Sequence, residues 1–121
     1  MIMINLDYKS RLPIYEQIAN EIERYVALQI LKPKDQMPSI RELASQLGIN
    51  PNTVKKAYDY LENKKVIVTI STKGTFISDN IDTVITKKKE KLLIEIEEKI
   101  GELEKLGFSR KEIIDRMNKK N

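Results

Sequence analysis

Ser39-Ile40-Arg41-Glu42-Leu43-Ala44-Ser45-Gln46-Leu47-Gly48-Ile49-Asn50-Pro51-Asn52-Thr53-Val54-Lys55-Lys56-Ala57-Tyr58 decides the fold. Ser39 and Glu42 have the spacing of a capping box, in which the hydroxyl accepts the backbone N–H three residues on and the carboxylate reaches back. A helix therefore opens here, and it is short, because Gly48 follows Leu47 and glycine takes the left-handed conformation that ends a helix. Asn50 then supplies an N-cap and Pro51 a first-turn proline. The next helix is predicted from about Pro51 to Asn63, burying Val54, Ala57, Tyr58 and Leu61. Two helices thus meet across a tight glycine turn.

Upstream, after an extended start at Met3-Ile4-Asn5-Leu6, a helix is predicted to begin at Pro13. Ile14, Ile18, Ile22, Tyr25 and Val26 recur at three- and four-residue steps and share one face. Lys32-Pro33-Lys34-Asp35 breaks the pattern. Downstream the period changes: Val66, Val68 and Ile70 alternate with Ile67, Thr69 and Ser71. Ser71-Thr72-Lys73-Gly74 then turns the chain into Thr75-Phe76-Ile77, a two-stranded hairpin with a basic tip.

The last third is helical again. Ile81, Val84, Ile85, Leu92, Leu93, Ile96, Ile100 and Leu103 form a stripe broken at Lys88 and Lys89, with glutamates and lysines on the other faces. Gly107 ends this helix, and Ser109-Arg110-Lys111-Glu112 is a second capping box opening a short helix with Ile113, Ile114 and Met117. The fold class is mainly α with a small β-hairpin: a winged helix-turn-helix over residues 1–78, followed by a two-helix hairpin over 79–121.

The chain has neither Cys nor His, which excludes disulfides, thiolate nucleophiles, Ser-His triads and the usual zinc sites. Asp and Glu lie scattered among Lys on helical stretches, the pattern of a solvated face. An enzyme is therefore not expected, and neither is a cofactor or metal. No apolar run reaches the roughly 20 residues of a membrane span. Met1-Ile2-Met3-Ile4 lacks the regions of a signal peptide, so a cytoplasmic protein is expected.

The net charge of +4 is informative once located. Residues 32–76 hold eight basic and four acidic side chains, while the remainder holds fourteen of each. The whole excess falls on the helix-turn-helix and hairpin, which points to a polyanion partner. A helix-turn-helix puts its second helix in the major groove of DNA, with residues near its N-terminus meeting base edges. Asn50, Asn52, Thr53, Lys55 and Lys56 stand at that end, where free N–H groups and the helix dipole also favour phosphate. Arg41 suits a phosphate or the two acceptors of a guanine. Lys73-Gly74 suits the minor groove, because glycine permits close backbone approach.

Pro38-Ser39-Ile40-Arg41-Glu42-Leu43-Ala44, Leu47 to Tyr58, Leu61-Glu62 and Lys73-Gly74-Thr75-Phe76-Ile77 resemble the winged helix-turn-helix signature of the GntR family of bacterial transcription regulators. Pro13-Ile14-Tyr15-Glu16-Gln17-Ile18 resembles the start of that domain. The short remainder is similar to the YtrA-like subfamily, whose members lack a full effector domain and dimerise through tail helices. The resemblance implies DNA contacts from Ser39, Arg41, Asn52, Thr53, Lys55, Lys56, Gly74 and its neighbours Lys73 and Thr75. It also implies a homodimer; two-fold pairing would match a palindromic operator, and a repressor that occupies a promoter is the leading expectation. Three positions depart from the family's pattern: Lys34 and Lys65 stand where glycine is usual, and Ser71-Thr72 where Arg-Gly or similar leads into the wing tip. A gentler minor-groove contact is expected from the last.

In a monomer the tail stripe would stay largely wet. Pairing two chains through Ile85, Leu92, Leu93, Ile96, Ile100, Leu103, Phe108, Ile113 and Met117 covers it and spaces two recognition helices for an operator. The alternative folds the helix back on its own winged domain. No enclosed effector pocket is expected, although a site between subunits stays open. Two other functions remain: a winged-helix module that meets an acidic protein, and sequence-independent DNA binding.

Overall fold

The computed structural model describes residues 3–119; Met1, Ile2, Lys120 and Asn121, the ends of the two expected domains, lie outside the described residues. In chain order the elements are α1 (Ile14–Ala27), α2 (Ile40–Leu47), α3 (Pro51–Asn63), β1 (Ile67–Ile70), β2 (Gly74–Ile77), α4 (Ile81–Lys105) and α5 (Arg110–Asn118). Pro13 caps α1 rather than opening it: its carbonyl accepts from the N–H groups of Glu16 and Gln17, both at 3.1 Å. The chain divides into two compact units between Ile85 and Thr86. The sequence reading divides it after residue 78.

In the first unit, α1 and α2 both pack on α3. Ile18, Ile22, Leu43, Val54 and Leu61 are fully buried between them. Each such side chain removed from water contributes about 1.5–3 kcal/mol. Val54, Ala57, Tyr58 and Leu61 are the buried residues of α3, as their spacing predicts. The Tyr58 hydroxyl donates to the Pro38 carbonyl at 2.7 Å, tying α3 to the approach to α2. Burial, with the negative charge of Glu42 adding to it, pushes that phenol far above its ordinary range and keeps it a donor.

β1 and β2 pair antiparallel, Ile67 with Ile77 through Ile70 with Gly74. The buried hairpin residues are Val66, Ile67 and Ile77, while Val68 and Ile70 are exposed. Alternation therefore does not set the buried face: Val66 precedes the strand and enters the core from the turn after α3. A second edge is added by the segment before α2. Met37 N–H donates to the Thr75 carbonyl and Ile77 N–H to the Asp35 carbonyl, both at 2.8 Å, and Gln36 bridges to Phe76. The wing is thus held on both sides of β2.

Ile81 and Ile85, on the first turns of α4, are buried in this same core, with Val84 packed against it. This explains why the unit extends to Ile85.

In the second unit α4 continues unbroken to Lys105, including Gly101. Gly107, at φ +105°, turns the chain, and both halves of the Ser109–Glu112 capping box form at the start of α5. The Arg110 guanidinium pairs with Glu97 and stands 3.8 Å from Glu104, joining α5 to α4. Arg116 lies over the Phe108 ring at 5.0 Å.

Candidate nucleic-acid interface

Arg41 is the second residue of α2, exposed, and without a hydrogen-bond or ion-pair partner among the described residues. Its rigid fork of donors is free for a planar pair of acceptors. Ser39 caps the same helix. Its hydroxyl accepts from Glu42 N–H at 3.1 Å, and the Glu42 carboxylate accepts from Ser39 N–H at 2.8 Å. Hydrogen bonding to the carboxylate by the Ser39 backbone N–H, and after it by the Ser39 side chain, holds the Glu42 carboxyl below the ordinary glutamate range.

At the start of α3 one expectation fails. Free N–H groups were expected for a phosphate, but Pro51 has none and Asn52 N–H donates to the Asn50 side chain at 2.8 Å. Thr53 N–H donates to the Asn50 carbonyl at 3.0 Å. The helix satisfies its own terminus, because Asn50 is an effective cap. What remains there for DNA is the dipole and the side chains: exposed Asn52, half-buried Thr53, and the Asn50 amide NH2.

The two α3 lysines already have partners. Lys55 Nζ bonds the Asp59 carboxylate at 2.8 Å, one turn on. This bond is the main cause of its raised pKa. Lys56 Nζ lies 4.3 Å from the ring centroid of Tyr15 on α1. Tyr15 meets Tyr60 edge-on, with centroids 6.4 Å apart. The i,i+4 spacing of Lys55 and Asp59 puts the two on one helical face. The Tyr15 contact was not legible in the sequence, because it joins residues from different helices.

At the wing tip, Ser71, Thr72 and Lys73 form the loop between paired Ile70 and Gly74, closed by Lys73 N–H donating to the Ile70 carbonyl at 3.0 Å. Lys73 is exposed, and its ammonium has no partner among the described residues. Thr75 is half-buried, its hydroxyl 3.5 Å from that of Thr69 across the hairpin. Gly74 has φ +121°, and a Cβ there would stand 2.9 Å from Gln36 Nε2. The positive φ therefore favours glycine at this position, and a Cβ would in addition displace the Gln36 amide, the mobile end of a side chain. Gln36, which the sequence reading missed, also donates to the Lys73 carbonyl at 3.3 Å.

Of the positions expected to pair with a second chain, Ile85 is already covered by the first unit's core and Ile113 is buried. Leu92, Leu93, Ile96, Leu103 and Met117 are exposed, Leu93 by 59% and Ile96 by 49%; Ile100 and Phe108 are half-buried. Ile94, Leu106 and Ile114 are also exposed. Among the described residues no helix is long and apolar enough to cross a membrane, and no cluster of acidic side chains is placed to hold a metal ion.

Known proteins resemble this chain in sequence and fold. The HTH-type transcriptional repressor YtrA of Bacillus subtilis is 41% identical over 119 residues, covering 92% of each chain. A solved transcriptional regulator from Oenococcus oeni is 42% identical with TM-score 0.75, covering 93% of this chain and 94% of that one. The AraR(DBD) structure, solved in complex with operator ORR3, is 27% identical with TM-score 0.54 and covers 61% of this chain and 89% of that one. Residues 14–77 match the family described as bacterial regulatory proteins, gntR family. With its helix-turn-helix, wing and localised positive charge, the chain belongs to the gntR family and is a DNA-binding transcription regulator.

Proposed function

We propose that the protein is a cytoplasmic repressor that binds a palindromic operator as a homodimer. The observation that carries the DNA side is the exposed, unpartnered Arg41 on the first turn of α2, within residues 32–76, whose charges account for the chain's net +4. In this reading α3 enters the major groove and Arg41 reads acceptors at its edge. Ser39 and Thr53 anchor phosphates, with Asn50, Asn52, Lys55 and Lys56 beside them. Lys73, Gly74 and Thr75 approach the minor groove, backbone first. Similarity to a relative named as a repressor supports the sign of regulation.

The dimer rests on α4, whose Leu92, Leu93 and Ile96 stay exposed on a helix otherwise rich in charge. Covering them with a second copy removes apolar surface from water and doubles the DNA contacts. In this reading the tail beyond Ile85 is the dimerisation arm, and the unit that ends at Ile85, rather than at residue 78, is the reader. Titrating Arg41→Ala and the parent against operator DNA in gel shifts tests the interface. The variant should bind at least tenfold more weakly while melting normally; equal binding would count against the assigned surface. Light scattering after size exclusion tests the arm: a parent that is monomeric at micromolar concentration would exclude it.

A further inference from the structure

We infer that Tyr15 is a positioning residue for DNA binding, whose ring holds the Lys56 ammonium in place for a phosphate. Lys56 is an exposed residue on the second turn of α3, a long side chain with much rotamer freedom to lose on binding. Its Nζ lies 4.3 Å from the Tyr15 ring centroid, within the range of cation–π attraction. The ring is fixed in turn. Tyr15 is half-buried on the first turn of α1, meets Tyr60 edge-on at 69°, and donates its hydroxyl to Glu16 at 3.2 Å.

Tyr60 belongs to α3 as well, so the same helix supplies both the lysine and the residue that braces its platform. Lys64 lies over the Tyr60 ring at 5.6 Å, extending the alternation of cation and ring along α3. Lys55 differs: its partner is a carboxylate that neutralises it, whereas an aromatic face orients a cation without cancelling its charge. Of the two α3 lysines, Lys56 therefore presents its full charge from a prepared position. Such preparation reduces the ordering cost at the moment of binding.

This proposal rests on Lys56 meeting DNA, and the experiment separates the two. Operator affinity is measured across a range of salt for the full-length parent, Tyr15→Phe, Tyr15→Leu, Lys56→Ala and the Tyr15→Leu/Lys56→Ala double variant, with melting curves for each. We expect Lys56→Ala to bind roughly tenfold more weakly and its log–log salt slope to fall by about one. Tyr15→Leu should weaken binding about threefold to tenfold, Tyr15→Phe by less than about twofold, and the double variant should match Lys56→Ala. A Tyr15→Leu loss that persists in full on the Lys56→Ala background would overturn the positioning role and indicate a separate contact or a structural effect. Parental affinity for Tyr15→Leu would overturn it too. Parental affinity and slope for Lys56→Ala would instead remove Lys56 from the interface, and the proposal with it.

Discussion

The side-chain amide of Gln36 occupies the space that a methyl group on Gly74 would need, with Nε2 2.9 Å from that position. The same amide donates to the Lys73 carbonyl, so one residue before α2 fixes both the tip and the first strand position of the wing. Gly74→Ala forces an L-residue to φ +121° as well as moving Gln36. It should destabilise by about 1–2 kcal/mol. Gln36→Ala removes one exposed hydrogen bond and should cost about 1 kcal/mol or less. Denaturant midpoints of the two variants check the order.

Lys34, Lys65 and Thr72 have φ +71°, +66° and +67°, a conformation costly for residues with a Cβ. They are also the three positions at which the GntR resemblance expects glycine. Thr72 is β-branched and suffers most. Thr72→Gly should raise stability by about 1 kcal/mol, read as a higher urea midpoint with an unchanged slope.

These sites show what was legible beforehand. Ser39, Gly48, Asn50 and Pro51 specify α2, α3 and their turn because capping is local: donor and acceptor lie within three residues. Val54, Ala57, Tyr58 and Leu61 follow from helical period. Contacts that depend on folding were not legible: the Gln36 amide against Gly74, the Tyr15 ring under Lys56, and burial of Ile85 in the first unit. The free N–H groups expected at α3 were absent because the same Asn50 cap that announced the helix consumes them.

In the proposed interface Asp59 competes with DNA for Lys55. Both side chains of this pair are about 60% exposed, and i,i+4 pairs contribute only about 0.3–0.5 kcal/mol to folding. Asp59→Asn should leave the melting temperature nearly unchanged while tightening operator binding severalfold, with a steeper salt dependence. Fluorescence anisotropy titrations at two salt concentrations check this. Weaker binding would show that Asp59 holds Lys55 in its productive position.

Acid should loosen both capping boxes. The carboxyls of Glu42 and Glu112 are held below their ordinary value of 4.5, first by the backbone N–H groups of Ser39 and Ser109 and then by their hydroxyls. A carboxyl lowered in the folded state adds stability that is fully present above its unfolded value and is lost as pH falls through its folded value. Stability should therefore decline below pH 4.5. A Glu42→Gln/Glu112→Gln variant should be less stable than the parent at neutral pH and lose less on acidification, so that their melting temperatures converge as pH falls through the lowered carboxyl values.

The most direct test of the central claim is selection of bound fragments from a random pool of DNA duplexes with the full-length protein. Recognition by paired α3 helices, each flanked by Arg41, predicts an inverted repeat whose half-sites lie about 10 base pairs apart or a multiple of that. Arg41→Ala should then relax the sequence preference symmetrically in both halves. A single unpaired half-site would contradict the dimer. Uniform recovery of all sequences would contradict specific recognition itself.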